Sequence, residues 1–259
     1  MLRPRVIPCL LLEGGRLVKT TRFREPVYVG DPINAVKIFN DKQADELVLL
    51  DIAATRGGRG PDLELLGRIA REAFMPLAYG GGLRHEDQAR RVIGLGYEKV
   101  VLNSAARADP ALIGRVSAAI GAQSTVVAID VLREAGRARV WAHEQARALE
   151  LDPLAQARRC VEAGAGELLL VSVDRDGTRS GYDLELVRAV SAQVDVPVVA
   201  LGGAGSTDDL RRVVVEAGAS GAGAGALFVF HGKRRAVLIT YPPPAVLGRL
   251  FATAPPGGA

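Results

Sequence analysis

The sequence predicts an α/β fold, a single (β/α)8 TIM barrel over about residues 1–253. Eight apolar runs alternate with segments of helical pattern, and no stretch of domain-linker size separates them. Pro76 and Pro197, and Gly81 and Gly202, repeat at one spacing of 121 positions (197 − 76 and 202 − 81). This constant spacing indicates an internal duplication, with half-barrels at about 1–122 and 123–253. An open doubly wound sheet is the alternative, and the twofold repeat favours the closed barrel.

Each predicted strand is a short run rich in Val, Ile and Leu that Gly, Pro or polar residues bound. We expect strands at about 5–12, 46–52, up to the glycine corner at 80–82, 99–103, 124–130, 167–173, 195–201 and 220–223. Asp-Pro pairs and Ser or Asp caps predict helices at about 32–42, 62–73, 85–94, after 109–110, 152–163, from about 182, 206–217 and 243–252. We also expect a polar loop up to Gly30, a mobile loop at 54–60, a hairpin at about 137–143 and a disordered tail at 254–259.

Composition narrows the possible partners of the chain. No apolar run reaches the roughly 18 residues of a membrane span, and we expect no membrane association. Cys9 and Cys160 lie in apolar segments, which predicts buried reduced thiols and a cytoplasmic protein. The net charge is only +4 and the Arg residues are scattered among acids, so we do not expect nucleic acid as a partner. Small phosphorylated anions explain the basic excess as well.

Polar residues and glycines follow the predicted strands, and in a barrel the strand ends line one mouth where chemistry takes place. The strand-end residues are Asp51, Gly81, Gly82, Asn103, Ser104, Asp130, Ser172, Asp174, Asp176, Gly202, Gly203 and those at 223–226. Two glycine corners at repeat-related positions suit a ligand with a phosphate at each end, because glycine corners expose backbone N–H groups.

Asp130 would lie between the two corners and is a candidate general acid or base, although it could also be a loop cap. No His ends a strand, which argues against His-based or zinc chemistry. We expect no cofactor. His85, His143 and His231 fall in loops or caps, where we expect them to be solvated.

Four charged residues of alternating sign stand at the starts of strands, at the opposite end of the predicted barrel. They are Arg5, Glu46, Lys99 and Glu167. They are either separate solvated charges or a ring of ion pairs that closes the lower end of the barrel.

Motifs along nearly the whole chain resemble the cyclase subunit of imidazole glycerol phosphate synthase. The most specific are the run from Ser172 to Asp183 and Gly202-Gly-Ala-Gly205. In that family a partner glutaminase releases ammonia, which crosses the barrel and attacks a doubly phosphorylated ribulosyl-aminoimidazole-carboxamide. The resemblance implies acid–base work at Asp130 and an ammonia gate at Arg5, Glu46, Lys99 and Glu167. The predicted substrate- and phosphate-binding residues are Lys19, Asp51, Gly81, Gly82, Asn103, Ser104, Ser172, Asp176, Gly177, Gly202, Gly203, Gly225 and Ala226.

The chain departs from the family pattern at Leu11, where the family has a second catalytic Asp. The internal repeat exposes the same gap, because aligning Ile7 to Leu11 with Val126 to Asp130 places Leu11 opposite Asp130, at an offset of 119 (130 − 11), two short of the usual spacing. Leucine cannot move a proton, and loss of one general acid or base costs about 10²–10⁴ in rate. The segment at 142–150 also lacks the glycines and the Thr-Gly that the family uses there.

A second resemblance fits the segments from Tyr28 to Asn40 and from Phe228 to Pro242. They look like a cyclase paralogue linked to amidation of surface-polysaccharide sugars, which is thought to act with a glutaminase and a sugar amidotransferase. Our leading hypothesis is therefore a lyase-type amidotransferase subunit diverted to sugar amidation. A genuine cyclase of histidine biosynthesis that uses Asp130 alone, and a non-catalytic scaffold that activates the glutaminase, are the alternatives.

Overall fold

The computed structural model describes residues 4–232 and 234–252, and it contains a closed barrel of eight parallel strands. The strands are β1 (Arg5–Glu13), β2 (Leu47–Asp51), β3 (Leu77–Gly80), β4 (Lys99–Leu102), β5 (Thr125–Glu134), β6 (Glu167–Ser172), β7 (Val198–Leu201) and β8 (Gly221–Ala224). Each strand pairs with the next in parallel, and β8 pairs with β1 from Arg5↔Gly221 to Pro8↔Ala224. This last pairing confirms the predicted barrel and excludes the open sheet.

Eight helices surround the barrel and bury their apolar faces against the outside of the strands. They are α1 (Pro32–Asp41), α2 (Leu63–Ala70), α3 (Glu86–Gly94), α4 (Ala111–Ile120), α5 (Pro153–Glu162), α6 (Leu184–Ser191), α7 (Thr207–Val215) and α8 (Pro244–Phe251). Short helical turns, Ser104–Ala108 and Ala226–Val229, follow β4 and β8. Among the described residues, no helix combines the length and the hydropathy needed to cross a bilayer.

The repeat seen in the sequence extends to the caps of the helices. Side chains of Asp31, Asp62 and Ser206 accept a backbone N–H in the first turn of α1, α2 and α7. The equivalent N-caps of the two halves lie 121 positions apart in three pairs: Asp31 and Asp152, Asp62 and Asp183, and His85 and Ser206. Matching cap positions support an internal duplication, while the boundaries of the halves stay a prediction.

Two segments differ in how well the sequence predicted them. The hairpin that we expected near 137–143 is present, because Arg137–Ala142 pairs antiparallel with the extended end of β5. The prediction of a polar loop up to Gly30 is wrong. Arg16–Thr21 and Arg24–Gly30 instead form a hairpin that continues the sheet from β1. Most residues of Arg24–Gly30 are exposed, so this strand has no alternation of buried apolar and exposed polar residues from which the sequence could predict it. The predicted tail at 254–259 lies outside the described residues.

Apolar side chains fill the inside of the barrel. Side chains at alternate positions of seven strands fill it, and they include Ile7, Cys9, Val101, Ala128 and Leu169. Cys9 and Cys160 are free and buried, as the sequence predicted, and burial raises the pKa of the Cys9 thiol to about 12.

The lower end of the barrel is closed by a ring of four charged side chains. Arg5 donates to Glu46 Oε2 at 2.5 Å and to Glu167 Oε2 at 2.6 Å. Lys99 Nζ lies 3.1–3.2 Å from the carboxylate oxygens of the same two residues. The side chains of Glu46 and Glu167 are only 4% and 9% exposed. The four residues therefore form ion pairs rather than separate solvated charges.

Removing one cation from this ring should destabilise the fold. We expect Lys99→Met to lower the free energy of unfolding by about 2 kcal/mol, because two buried carboxylates would share the charge of Arg5 alone. Urea denaturation measures the change. Lys37→Met is the matched control, because Lys37 contacts Glu72 but is 53% exposed. Equal stability of the two variants would contradict the prediction.

Candidate active site at the barrel mouth

A cavity of about 410 Å³ opens at the end of the barrel where the parallel strands finish. Its floor is the apolar top of the barrel interior, where Cys9, Ala128 and Val171 contribute side chains. Its wall includes the predicted residues Lys19, Asp51, Gly81, Gly82, Asn103, Ser104, Asp130 and Asp176. The site thus combines an apolar base with a rim of polar groups, which is typical of small-molecule pockets.

Asp130 points into this cavity from β5. It follows Val126 and Ala128 at alternate positions of the strand, so all three side chains face the inside of the barrel. Asn103 Nδ2 donates to Asp130 Oδ2 at 2.9 Å. Burial raises the pKa of Asp130 to about 7, with Asp176 adding to the rise, although the hydrogen bond from Asn103 opposes it. A carboxyl group with a pKa near neutrality can both accept and return a proton.

Leu11 occupies the corresponding inward position on β1. Ile7 and Cys9 face the barrel interior at alternate positions, and Leu11 follows them into the wall of the cavity. It is 7% exposed. Leu11 and Asp130 therefore line the same cavity, and the first of them contributes only apolar surface.

The first glycine corner, Gly81 and Gly82, follows β3 directly. A Cβ on Gly81 would lie 2.7 Å from Cβ of Asp51, and a Cβ on Gly82 would lie 2.2 Å from the carbonyl oxygen of Arg59. Both residues also have positive φ, at +143° and +65°. Only glycine can therefore form this turn, which leaves its backbone at the cavity wall beside Asn103 and Ser104.

The second glycine corner, Gly202 and Gly203, follows β7 at the same rim. A Cβ on Gly203 would lie 2.1 Å from the carbonyl oxygen of Gly181. Beside the corner, Lys19 reaches Gly225, where a Cβ would lie 2.5 Å from Lys19 Nζ. Four described residues that the sequence predicted to bind phosphate do not line the cavity: Gly202, Gly203, Gly225 and Ala226. The two corners share a rim, but only the first is open to the cavity.

The loop after β6 is fastened to the hairpin that follows β1. Lys19 Nζ lies 3.6 Å from Asp176 Oδ1, and Thr20 Oγ1 donates to Asp176 Oδ2 at 3.1 Å. Gly177 packs on the hairpin so closely that a Cβ would lie 2.3 Å from the carbonyl oxygen of Thr20. Asp176 thus holds the hairpin, and with it Lys19, over the mouth.

Two other predicted residues make structural contacts here. Asp51 Oδ1 accepts the backbone N–H groups of Ala53 and Ala54 at 3.0 and 2.9 Å, so its side chain caps the turn after β2 while lining the cavity. Ser172 lies behind the second corner, with its carbonyl oxygen 2.6 Å from the position of a Cβ on Gly202. Roles of either residue in ligand binding stay predictions.

Sequence reasoning missed several residues of the mouth. His143, which we expected to be solvated, is half-buried and lines the cavity, where its Nε2 lies 3.1 Å from the carbonyl oxygen of Ile52. His85 and His231 are exposed as expected. Phe23 packs edge-on against His143 with ring centroids 5.9 Å apart. The hairpins that bring these two rings together connect distant parts of the chain, so no local pattern predicts the contact.

Glu144 is the other residue that the sequence did not single out. Its carboxylate accepts a hydrogen bond of 2.9 Å from Ser104 Oγ and forms an ion pair with Arg107.

Within the described part of the chain, no group of three or more His, Cys, Asp or Glu side chains is arranged to hold a metal ion.

Comparison with known proteins gives a consistent family assignment. The model of the family described as histidine biosynthesis protein matches residues 5–234. A Pseudomonas aeruginosa protein, provisionally named imidazole glycerol phosphate synthase subunit hisF2, is 49% identical over 93% of this chain and 97% of its own length. A Leptospira interrogans protein with a provisional HisF name is 46% identical over 93% and 96%.

A relative without the provisional designation is the imidazole glycerol phosphate synthase subunit HisF of Myxococcus xanthus, 47% identical over 86% of this chain and 88% of its own. The match to the family model extends over the barrel strands, both glycine corners and the charged ring described above. The chain therefore belongs to the histidine biosynthesis protein family, among the HisF-type cyclase subunits of imidazole glycerol phosphate synthase.

Proposed function

We propose that this chain is the ammonia-accepting barrel subunit of a glutamine amidotransferase and that it acts on a phosphorylated small molecule at the barrel mouth. A partner glutaminase would supply ammonia from the lower end. The observation that carries the proposal is the column formed by the charged ring, the apolar interior and the mouth cavity, with Asp130 at its top.

The apolar interior suits the passage of a small neutral molecule. Between the ring and the cavity, the inward side chains include Ile7, Cys9, Val48, Ala78 and Val101. None of these side chains carries a charge that could trap ammonium. The ring must open for ammonia to enter, since its four side chains contact one another. Arg5 is the candidate gate, because it is the most exposed member at 28%.

In this proposal Asp130 is the general acid and base. A group with a pKa of about 7 can take a proton from an attacking ammonia and return one to a leaving group. The family reaction that the resemblance implies closes an imidazole ring and releases an aminoimidazole carboxamide ribotide. Leu11 cannot supply a second acid or base to the same cavity.

We further propose that the chain serves amidation of surface-polysaccharide sugars rather than histidine biosynthesis. The support is Leu11 at the inward position opposite Asp130, together with the resemblance of the 28–40 and 228–242 segments to the sugar-amidation paralogue. A sugar amidotransferase would then be a further partner. The alternative, a genuine histidine-pathway cyclase, is favoured by the intact pair of Asn103 and Asp130 and by the likeness to the Myxococcus xanthus subunit.

The substitution Leu11→Asp separates the two functions. If the chain is diverted, the purified protein with ammonium salt should turn over the histidine-pathway substrate poorly, and Leu11→Asp should raise the rate by about 10²-fold or more. Leu11→Asn is the matched control, because amide and carboxylate have similar size but only the carboxylate exchanges a proton. Turnover near that of an ordinary cyclase, with no gain from Leu11→Asp, would instead indicate a genuine cyclase.

The substitution Asp130→Asn tests the buried carboxyl group. Between about pH 4 and pH 7 the folded chain keeps a proton on Asp130 that the unfolded chain has lost, so this group lowers stability as pH rises through the window. The Asp130→Asn variant should therefore be more stable than the unchanged chain at pH 8, by at most about 4 kcal/mol, and the gain should vanish near pH 4. Urea denaturation at both pH values measures this. A less stable variant at pH 8 would contradict it.

A non-catalytic scaffold that activates the glutaminase is the third possibility, and binding and turnover distinguish it. We expect the tagged chain to retain a glutaminase from the source organism, detected as glutamine hydrolysis in the eluate. The scaffold hypothesis expects Asp130→Asn to leave every activity of that complex unchanged. An eluate without glutaminase activity would refute both the scaffold and the amidotransferase subunit.

A further inference from the structure

Glu144 places a carboxylate on the side-chain donors next to the first glycine corner. Ser104 Oγ donates to Glu144 Oε2 at 2.9 Å, and the guanidinium of Arg107 binds the other oxygen. Gln145 Nε2 lies 3.2 Å from that same oxygen. The side chains of Arg107 and Glu144 are 13% and 27% exposed, so the pair is partly removed from water. One hydroxyl and one cation at this corner are thus already engaged by an internal anion.

The engaged hydroxyl belongs to the wall of the cavity. Ser104 lines the cavity together with Gly81 and Gly82. Partial burial of Glu144 works in the opposite direction, but hydrogen bonds from Arg107 and Ser104 lower the pKa of its carboxyl group. The carboxylate is therefore charged at neutral pH, at the edge of the space that a phosphate would enter.

Two anions that share the same donors exclude each other. A phosphate on Ser104 would have to displace Glu144 from its hydroxyl partner or lie beside it as a like charge, and both lower affinity. Beside the second corner, Lys19 itself lines the cavity, and its Nζ lies 3.6 Å from Asp176 Oδ1, longer than a hydrogen bond. Each side of the mouth thus holds a carboxylate and a cation, but the cation that lines the cavity is Lys19, whereas Arg107 is hydrogen-bonded to Glu144.

We propose that Glu144 is a specificity-determining residue that weakens phosphate binding at the first corner and so favours ligands with a phosphate at one end only. This inference rests on the proposed function, because it needs the mouth to be the ligand site. It refines that proposal, since two glycine corners alone suggest a doubly phosphorylated ligand.

The substitution Glu144→Gln tests the inference with a pair of simple probes. It removes the charge, keeps the size of the side chain and leaves an oxygen that can accept from Ser104. Calorimetry compares ribulose 1,5-bisphosphate with ribulose 5-phosphate on each protein. We expect the unchanged chain to bind both sugars with affinities within about threefold, and Glu144→Gln to bind the bisphosphate about tenfold more tightly while the monophosphate changes little.

Glu150→Gln is the matched control. Glu150 carries the same charge six positions along the chain, but it is 73% exposed and pairs with Arg137 and Arg139 away from the cavity wall. We expect this variant to bind both sugars as the unchanged chain does. A similar gain in the control would mean that net charge alone is responsible, which overturns the inference.

The remaining outcomes separate the inference from the proposed function. If the unchanged chain binds the bisphosphate about 100-fold more tightly than the monophosphate, and Glu144→Gln preserves the ratio, the inference is wrong and a bisphosphate site remains supported. An equal gain for both sugars in Glu144→Gln also overturns the inference. If neither sugar binds to any of the three proteins, both the inference and the phosphate-binding part of the proposed function fail.

Discussion

Closure of the sheet by β8 and β1 is the constraint on which the other features depend. Because all eight strands are parallel, closure brings every strand start to one end and every strand end to the other. β8 has the sequence Gly221-Ala-Gly-Ala224, which has little intrinsic preference for a strand. Its glycines leave room that Ile7, Val199 and Leu201 fill, with positions for a Cβ only 3.0–3.6 Å from neighbouring atoms. The weakest strand is thus fixed by side chains from its neighbours.

Closure also explains why charged groups can occupy the floor. Arg5, Glu46, Lys99 and Glu167 stand two positions before Ile7, Val48, Val101 and Leu169, all of which face the barrel interior. The alternation of a strand therefore points the four charges inward as well. Isolated, each buried carboxylate would be costly, but each contacts both cations. The ring can exist only where four strands converge.

The sequence could predict features that repeat locally or alternate along one strand. The eight strands and most helix caps follow from apolar runs and capping residues, and aligning Ile7 to Leu11 with Val126 to Asp130 places Leu11 opposite Asp130. The sequence puts the four strand-start charges at one end of the barrel but leaves open whether they pair. The hairpin at 16–30 could not be predicted in this way, because its outer strand is exposed and polar. The contacts of His143 with Phe23 and of Glu144 with Ser104 could not be predicted either. They join segments more than thirty-five positions apart, and the placement of these segments depends on the finished barrel.

The upper end of the barrel differs from the floor because its buried charge is only partly satisfied. Asp130 receives one hydrogen bond, from Asn103, and Asp176 repels its charged form. At the position that the alignment of Ile7 to Leu11 with Val126 to Asp130 places opposite Asp130, Leu11 adds apolar surface rather than a carboxyl group. A carboxylate in place of Leu11 would raise its own pKa or that of Asp130 further, because like charges in a desolvated site disfavour joint ionisation. With Leu11 present, the pKa of Asp130 stays at about 7 without that further charge. Leu11 therefore removes one acid or base from the cavity and also leaves the carboxyl group of Asp130 able to hold or release its proton near pH 7.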